Sequence, residues 1–163
     1  MAIYLGLGSN LGDRENYLRS AVVRLGRAGV ETVRSASVYL TEPRDYADQP
    51  WFLNTVIQVN THCAPEELIE LCLNVEGEAG RIRTEPNGPR TLDIDILLYD
   101  SQIRNTAQIT IPHPRFAERR FVLAPLAEIA PDVVDPRTGV RVTDLLERCA
   151  DASSVEVHGP PLL

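Results

Sequence analysis

Two carboxylates, Asp93 and Asp95, alternate with apolar residues in the segment 91–99. Residues two apart on a β-strand share a face and lie about 6–7 Å apart, so both carboxylates project to the same side. They repel each other unless a cation lies between them, and Mg²⁺ prefers one or two carboxylates combined with phosphate oxygens. The spacing therefore suits a site for Mg²⁺ and a nucleotide phosphate, whereas the same pattern standing alone is typical of the polar face of an edge strand.

Three arginines, Arg81, Arg83 and Arg90, bracket the loop 84–89 just before these carboxylates. A guanidinium binds phosphate through two parallel hydrogen bonds, and a loop bounded by Pro and Gly is suited to close over a ligand. Three arginines within ten residues are by themselves typical of a solvated loop. Beside the paired carboxylates they favour a clamp of Arg and Mg²⁺ for a polyphosphate.

Two further segments carry side chains suited to a ligand. In the segment 48–54, Trp51 and Phe52 either pack at the start of a strand or form an aromatic surface on which a flat ring can stack. In the second case the amide of Asn54 would form hydrogen bonds with the polar edge of that ring. Further along, His113 lies between two prolines and is followed by three arginines within seven residues. We interpret His113 as part of this basic cluster rather than as a packed core residue, with a local hydrogen bond in the turn as the alternative.

The glycine-rich segment 6–12 is similar to phosphate-binding loops but does not match their patterns. Leu11 occupies the position of the third glycine in the dinucleotide-binding pattern. A Walker loop needs a lysine, whereas all 16 basic residues of this chain are arginines. We interpret the segment as a tight strand-to-helix turn that borders a ligand, with Asn10 or Asp13 capping the helix that follows.

Hydrophobic periodicity predicts the elements that position these residues. The predicted order is strand 2–8, helix 15–26, strand 30–40, strand 52–61, helix 65–80 and strand 91–99, then a short strand pair within 102–112, short helices at 121–130 and 142–149, and a tail at 151–163. The fold class is α+β, with a ferredoxin-like βαββαβ core in which a mainly antiparallel sheet carries helices on one face.

The composition is that of an ordinary globular chain. With 163 residues, 44% of them hydrophobic, we expect one domain over 1–163. The net charge of −7 disfavours nucleic acid or a membrane surface as a partner, and no apolar run is long enough for a signal peptide or a membrane span. The three cysteines have neither metal nor disulfide spacing. We expect a cytoplasmic monomer.

Taken together, these segments resemble the 6-hydroxymethyl-7,8-dihydropterin pyrophosphokinase family of folate biosynthesis. The resemblance covers nearly the whole chain, and its most specific part is Gly88-Pro89-Arg90-Thr91-Leu92-Asp93-Ile94-Asp95-Ile96-Leu97. The other matching segments are Gly8-Ser9-Asn10-Leu11-Gly12, Asp48-Gln49-Pro50-x-Phe52-x-Asn54, Glu76-x-x-x-Gly80-Arg81-x-Arg83, Pro112-His113-Pro114-Arg115 and Arg119-x-Phe121-Val122-Leu123. The resemblance implies Mg²⁺-dependent transfer of pyrophosphate from ATP to 6-hydroxymethyl-7,8-dihydropterin, with release of AMP.

The resemblance also implies roles for individual residues. Those with an implied catalytic role are Arg81, Arg90, Asp93 and Asp95, of which the two aspartates would bind two Mg²⁺ ions. The implied contacts with ATP are Glu76, Arg83, Arg90, Ile96, Thr110, His113 and Arg119. The implied contacts with the pterin are Thr41, Phe52, Asn54, Asp93 and Phe121, with the two phenylalanines sandwiching the ring.

The chain departs from the family pattern at three places. The loop 84–89 is short, Gln108 stands where some members have an ATP-contacting arginine, and the segment 44–46 replaces a more apolar or glycine-containing stretch. Two alternative functions remain: another two-metal, nucleotide-dependent enzyme of ferredoxin-like fold, and a non-enzymatic ferredoxin-like binding module. The negative net charge disfavours a nucleic-acid groove, and an aromatic content of 6% lacks the clustered aromatics of RNA-binding sheets.

Overall fold

A six-stranded antiparallel sheet forms the centre of the computed structural model, which describes residues 2–43, 48–80 and 91–163. The strands and helices are β1 Ile3–Ser9, α1 Arg14–Arg27, β2 Glu31–Ser35, β3 Val38–Thr41, β4 Phe52–Asn60, α2 Pro65–Glu78, β5 Asp93–Tyr99, β6 Arg104–Asn105, β7 Thr110–Ile111, α3 Arg120–Ile129, α4 Val142–Arg148 and β8 Val155–Gly159. The strand order is β5-β1-β4-β3-β8, and β2 also pairs with β4. This order confirms the predicted α+β class.

Helices cover both faces of the sheet. Successive residues of each strand point to opposite sides, and apolar side chains on both sides are buried against helices. Leu5 and Ile57 pack with buried residues of α1 and α2 on one face. Tyr4, Val56 and Leu98 pack with α3 on the other face. The two helices of the ferredoxin-like core therefore share one face, as predicted, and the helices that follow it cover part of the opposite face.

The helix boundaries follow from local chemistry. Asp13 caps α1, since its carboxylate accepts a hydrogen bond from the backbone N–H of Asn16 at 3.3 Å. Asn10 does not cap the helix and instead donates to the side chain of Gln49 and the carbonyl of Pro50, at 2.8 and 2.9 Å. Pro65 occupies the first turn of α2, where a missing N–H is tolerated.

Two predicted elements differ from the structure. The predicted strand 30–40 is divided into β2 and β3, since the pairing with β4 shifts by one residue between Ser35–Ile57 and Tyr39–Asn54. The hydroxyl of Thr55 lies 3.1 and 3.0 Å from the carbonyl oxygens of Ala36 and Ser37 at this irregularity. The predicted tail at 151–163 contains β8, which pairs antiparallel with β3. Val157 of β8 is 66% exposed, so this strand carries little of the hydrophobic burial that makes strands recognisable in a sequence.

The predicted short strand pair within 102–112 is present as β6 and β7. No helix within the described ranges is long and apolar enough to cross a membrane.

Candidate active site

A cleft with an empty volume of about 690 Å³ opens beside α3, on the sheet face opposite α1 and α2. Its floor comes from β1, β4 and β5, one wall from the end of β3 and the residues after it, and the other wall from the start of α3. The cleft therefore collects residues from five elements that are distant in sequence.

The two predicted carboxylates lie together on this floor. Asp93 and Asp95 are both half-buried and both line the cleft. Across the β1–β5 pairing, Asp93 is opposite Gly8 and Asp95 is opposite Gly6. Neither glycine carries a side chain, so neighbouring side chains can lie over the strand: Oδ1 of Asn54 lies over Gly8, and the side chain of Leu97 borders Gly6.

Asn54 lies on the other side of the same glycine row. Gly8 pairs with Asn54 in β4 as well as with Asp93 in β5, so the three residues form a row across three strands. With neighbouring strands about 4.8 Å apart, the backbones of Asp93 and Asn54 are roughly 10 Å from each other. The row therefore places a carboxylate and an amide on the same floor, on either side of Gly8.

The amide of Asn54 is fixed by two neighbours. Its Nδ2 donates to the hydroxyl of Thr41 at 2.7 Å, and both side chains are buried. A Cβ atom added to Gly8 would lie 2.5 Å from Oδ1 of Asn54, closer than such atoms ever approach. Glycine at position 8 is therefore required for the amide to sit where it does.

Two phenylalanines and an arginine line the cleft around this amide. Phe52 comes from β4 and Phe121 from α3, and the guanidinium carbon of Arg119 lies 5.6 Å from the centre of the Phe121 ring. Trp51 is not part of the lining, and its carbonyl accepts a hydrogen bond from Arg14. Of the two aromatic residues in the segment 48–54, only Phe52 therefore belongs to the cleft.

His113 lies beside the carboxylate strand. Its backbone N–H donates to the carbonyl of Leu97 at 3.0 Å, and its Nδ1 accepts from the N–H of Arg115 at 3.2 Å, which is the local hydrogen bond considered for this turn. Burial, followed by the positive charge of Arg119, lowers the pKa of His113 to about 4, although Asp93 opposes the shift. The imidazole is therefore neutral near pH 7.

Several residues named from the sequence lie away from the cleft. Glu76 is buried on α2, Ile96 packs on the opposite sheet face below α1 and α2, and Thr110 is exposed in β7. The side chain of Gln108 donates weakly, at 3.5 Å, to the carbonyl of Glu66. Arg81, Arg83, Arg90, the loop 84–89 and the segment 44–46 lie outside the described residues.

The cleft also has lining residues that were assigned no role from the sequence. Glu42 and Pro43 follow β3, and Gln49 precedes β4. Gln49 reaches the cleft with its side chain hydrogen-bonded to Asn10, a contact 39 residues apart in the chain. No periodic pattern predicts such a contact, although Asn10 and Gln49 both belong to the motifs noted above.

The donor set of the floor fits Mg²⁺. Within the described ranges no group of three metal-binding side chains occurs. Two carboxylates in an open cleft are nevertheless the usual protein share of a Mg²⁺ site in which phosphates and water complete the coordination. Fold and site together define a ferredoxin-like α+β protein with an acidic pair next to an aromatic pocket that contains an amide.

A model of the family described as 7,8-dihydro-6-hydroxymethylpterin-pyrophosphokinase (HPPK) matches residues 4–131. The chain belongs to this family of pyrophosphokinases, which act in folate biosynthesis. The family and the enzyme class predicted from the motifs are thereby confirmed.

Curated relatives agree with this assignment. The chain is 48% identical over 147 residues to the 2-amino-4-hydroxy-6-hydroxymethyldihydropteridine pyrophosphokinase of Bacillus subtilis, which covers 85% of this chain and 88% of that protein. It is 44% identical over 132 residues to the protein of the same name from Methylorubrum extorquens, covering 80% and 84%. It is also 38% identical over 150 residues to the folic acid synthesis protein fol1 of Pneumocystis carinii, covering 92% of this chain but only 20% of that longer protein.

Solved structures support the fold. A structure of HPPK-DHPS from Plasmodium falciparum superimposes with a TM-score of 0.72 and 13% sequence identity, covering 90% of this chain and 43% of that chain. The chain thus spans less than half of these neighbours, and the similarity concerns the fold alone.

Proposed function

We propose that this chain transfers pyrophosphate from ATP to 6-hydroxymethyl-7,8-dihydropterin, giving AMP and the pterin diphosphate. The observation that carries the proposal is the row of Asp93, Gly8 and Asn54 across three strands. It brings a carboxylate pair for the phosphates and an amide pocket for a flat ring into one cleft.

The pterin ring would bind at the amide side of the cleft. Phe52 on the β4 floor and Phe121 on the α3 wall supply aromatic rings, and Asn54 and Thr41 supply donors and acceptors for the polar edge of the ring. Aromatic stacking excludes water from the ring faces, and the amide then selects a ring whose edge complements it.

The polyphosphate would bind at the carboxylate side. Asp93 and Asp95 are the residues that would hold Mg²⁺, and we propose two ions there by resemblance to the family. Bound Mg²⁺ neutralises charge on the phosphates and orients them.

Arginines and His113 would complete the phosphate contacts. The guanidinium of Arg119 lies over the Phe121 ring and lines the same cleft as the two carboxylates, so its charge can serve the phosphates of a bound ATP. His113, being neutral, would act through a hydrogen bond rather than through charge. By the resemblance, Arg81 and Arg90 would hold the phosphates that are transferred, and the other contacts with ATP would come from Arg83, Glu76, Ile96 and Thr110. Ile96 would act through its backbone because its side chain is in the core.

In the proposed reaction the hydroxymethyl oxygen of the pterin bonds to the β-phosphorus of ATP. The bond from that phosphorus to the oxygen bridging it to the α-phosphate breaks, so AMP leaves with the oxygen, and the hydroxyl proton is released. The residues around the two substrates contribute chiefly by fixing this geometry and by stabilising negative charge.

The experiment that tests the site assignment compares two aspartate variants. Asp95→Asn removes a cleft carboxylate with little change in shape, whereas Asp100→Asn changes an exposed residue that follows the same strand and accepts a bond from the N–H of Ala2. We expect Asp95→Asn to lower AMP formation from ATP, Mg²⁺ and the pterin by about 10³-fold or more, since it weakens stabilisation of developing charge. Asp100→Asn should keep wild-type activity. Equal activity of the two variants would overturn the assignment of Asp95.

A further inference from the structure

The start of α3 carries two cleft residues but lacks a cap of its own. Arg119 occupies the N-cap position and forms no side-chain capping bond, and the first turn contains no acidic residue. A guanidinium has only donors, so it cannot accept a bond from the free N–H groups at a helix start. Helices normally meet this need with Ser, Thr, Asp or Asn at the N-cap.

Asp151, which is 31 residues further along the chain, supplies the missing acceptor. Its Oδ2 accepts from the N–H of Arg120 at 3.1 Å, and its Oδ1 accepts from the N–H of Ser153 at 3.0 Å. The residue is only 8% exposed. A buried negative charge at this position also interacts favourably with the positive end of the helix.

The same short segment is bonded to the opposite wall of the cleft. The N–H of Ser154 donates to the carboxylate of Glu42 at 2.7 Å, and the N–H of Glu42 donates to the carbonyl of Ser154 at 3.1 Å. Glu42 lines the cleft immediately after β3. Residues 151–154, which we term the clasp, therefore join the start of α3 to the end of β3, and β8 continues the connection by pairing with β3.

The clasp consequently connects the two walls that face each other across the ring pocket. One wall carries Phe121 and Arg119, and the other carries Thr41. Because Asp151 fixes the first N–H of α3, it fixes the start of the helix from which Phe121 projects.

We propose that Asp151 is a positioning residue that sets the spacing between Phe121 and the amide side of the pterin pocket. The proposal rests on the proposed function, since it takes the pterin as the molecule bound between these walls. Asp151 lies outside residues 4–131, the part matched by the family model, so the assignment comes from the contacts of this chain.

The test compares Asp151→Ala with Asp132→Ala. Asp132 follows the opposite end of α3, its side chain is 83% exposed, and it forms an open ion pair with Arg141 at 3.3 Å. The dissociation constant of 6-hydroxymethyl-7,8-dihydropterin and the kcat and KM for AMP formation are measured well below the melting temperature of each variant. We expect Asp151→Ala to raise the pterin Kd and KM about tenfold, which corresponds to losing a helix cap, and to keep kcat at saturation within about threefold. Asp132→Ala should match the wild type.

A purely structural role predicts a different result, namely a lower melting temperature with an unchanged pterin Kd, and that result overturns the proposal. If Asp151→Ala does not fold, Asp151→Asn decides the question, because its amide keeps one acceptor oxygen for the two N–H groups. A pterin Kd raised about threefold or more in Asp151→Asn supports the proposal, and a wild-type Kd overturns it. Absence of pterin binding to the wild-type protein would instead contradict the proposed function.

Discussion

At the scale of single residues, the cleft depends on the absence of a side chain at Gly8. Gly8 lies between Asp93 and Asn54 in the strand pairing, and both of its neighbours point into the cleft. A larger residue would fill the floor and also displace the amide, whose Oδ1 lies over the position of the missing Cβ. Gly8 therefore influences the proposed pterin pocket indirectly, because it allows the Asn54 amide to keep its orientation.

Replacing Gly8 by Ala should weaken pterin binding about tenfold, because the Asn54 amide must leave its bond to Thr41 or lose its bond to the ring. Isothermal titration with the pterin measures this change, and ATP binding without pterin should be less affected.

Gly26→Ala is the matched control for this substitution. Gly26 lies in α1, and an added Cβ would meet nothing within 4 Å. Alanine there should stabilise the fold by about 0.5–1 kcal/mol without changing pterin affinity. Pterin affinity that is unchanged in Gly8→Ala would show that the Asn54 amide does not contact the ring.

At the scale of elements, the short strand β3 is held from both sides. One edge pairs with β4 and the other with β8. In addition, the carboxylate of Glu128 on α3 accepts bonds from the N–H of Ser37 at 2.9 Å, from its hydroxyl at 3.1 Å and from the hydroxyl of Tyr39 at 2.5 Å. Burial, together with the bond to Glu128, raises the pKa of Tyr39 well above its usual value, so this phenol remains a donor at neutral pH.

Glu128→Ala should lower the free energy of unfolding by about 1–3 kcal/mol, since it leaves the three donors of Ser37 and Tyr39 without this acceptor. Urea denaturation followed by circular dichroism measures the change. Glu147→Ala, on an exposed position of α4, should change stability by less than about 0.5 kcal/mol. Equal stability of the two variants would mean that α3 does not anchor β3 through Glu128.

The elements that were predictable from the sequence are those with strong periodic burial. In β5 the alternation of aspartates with buried isoleucines predicts both the strand and the shared face of Asp93 and Asp95. The break between β2 and β3 was not predictable, because it is a one-residue shift in their register against another strand, β4. β8 was missed because its pairing with β3 relies on backbone bonds and buries few side chains.

At the scale of the whole molecule, the family motifs identify more of the site than periodicity does. Thr41, Phe52, Asn54, Asp93, Asp95, Arg119 and Phe121 were all named from the sequence, and all line the cleft. Glu42, Gln49 and Asp151 were assigned no role, because each reaches its place through contacts between segments far apart in the chain. The roles of Arg81 and Arg90 stay predictions, since both lie outside the described residues.

The measurement that tests the central claim most directly is the identity and stoichiometry of the products. Purified protein is incubated with Mg²⁺, ATP and 6-hydroxymethyl-7,8-dihydropterin, and the products are separated by chromatography and identified by mass. The account predicts one AMP for each pterin diphosphate formed, with no AMP when the pterin is omitted. Formation of ADP with a pterin monophosphate, or of AMP without a phosphorylated pterin, would contradict it.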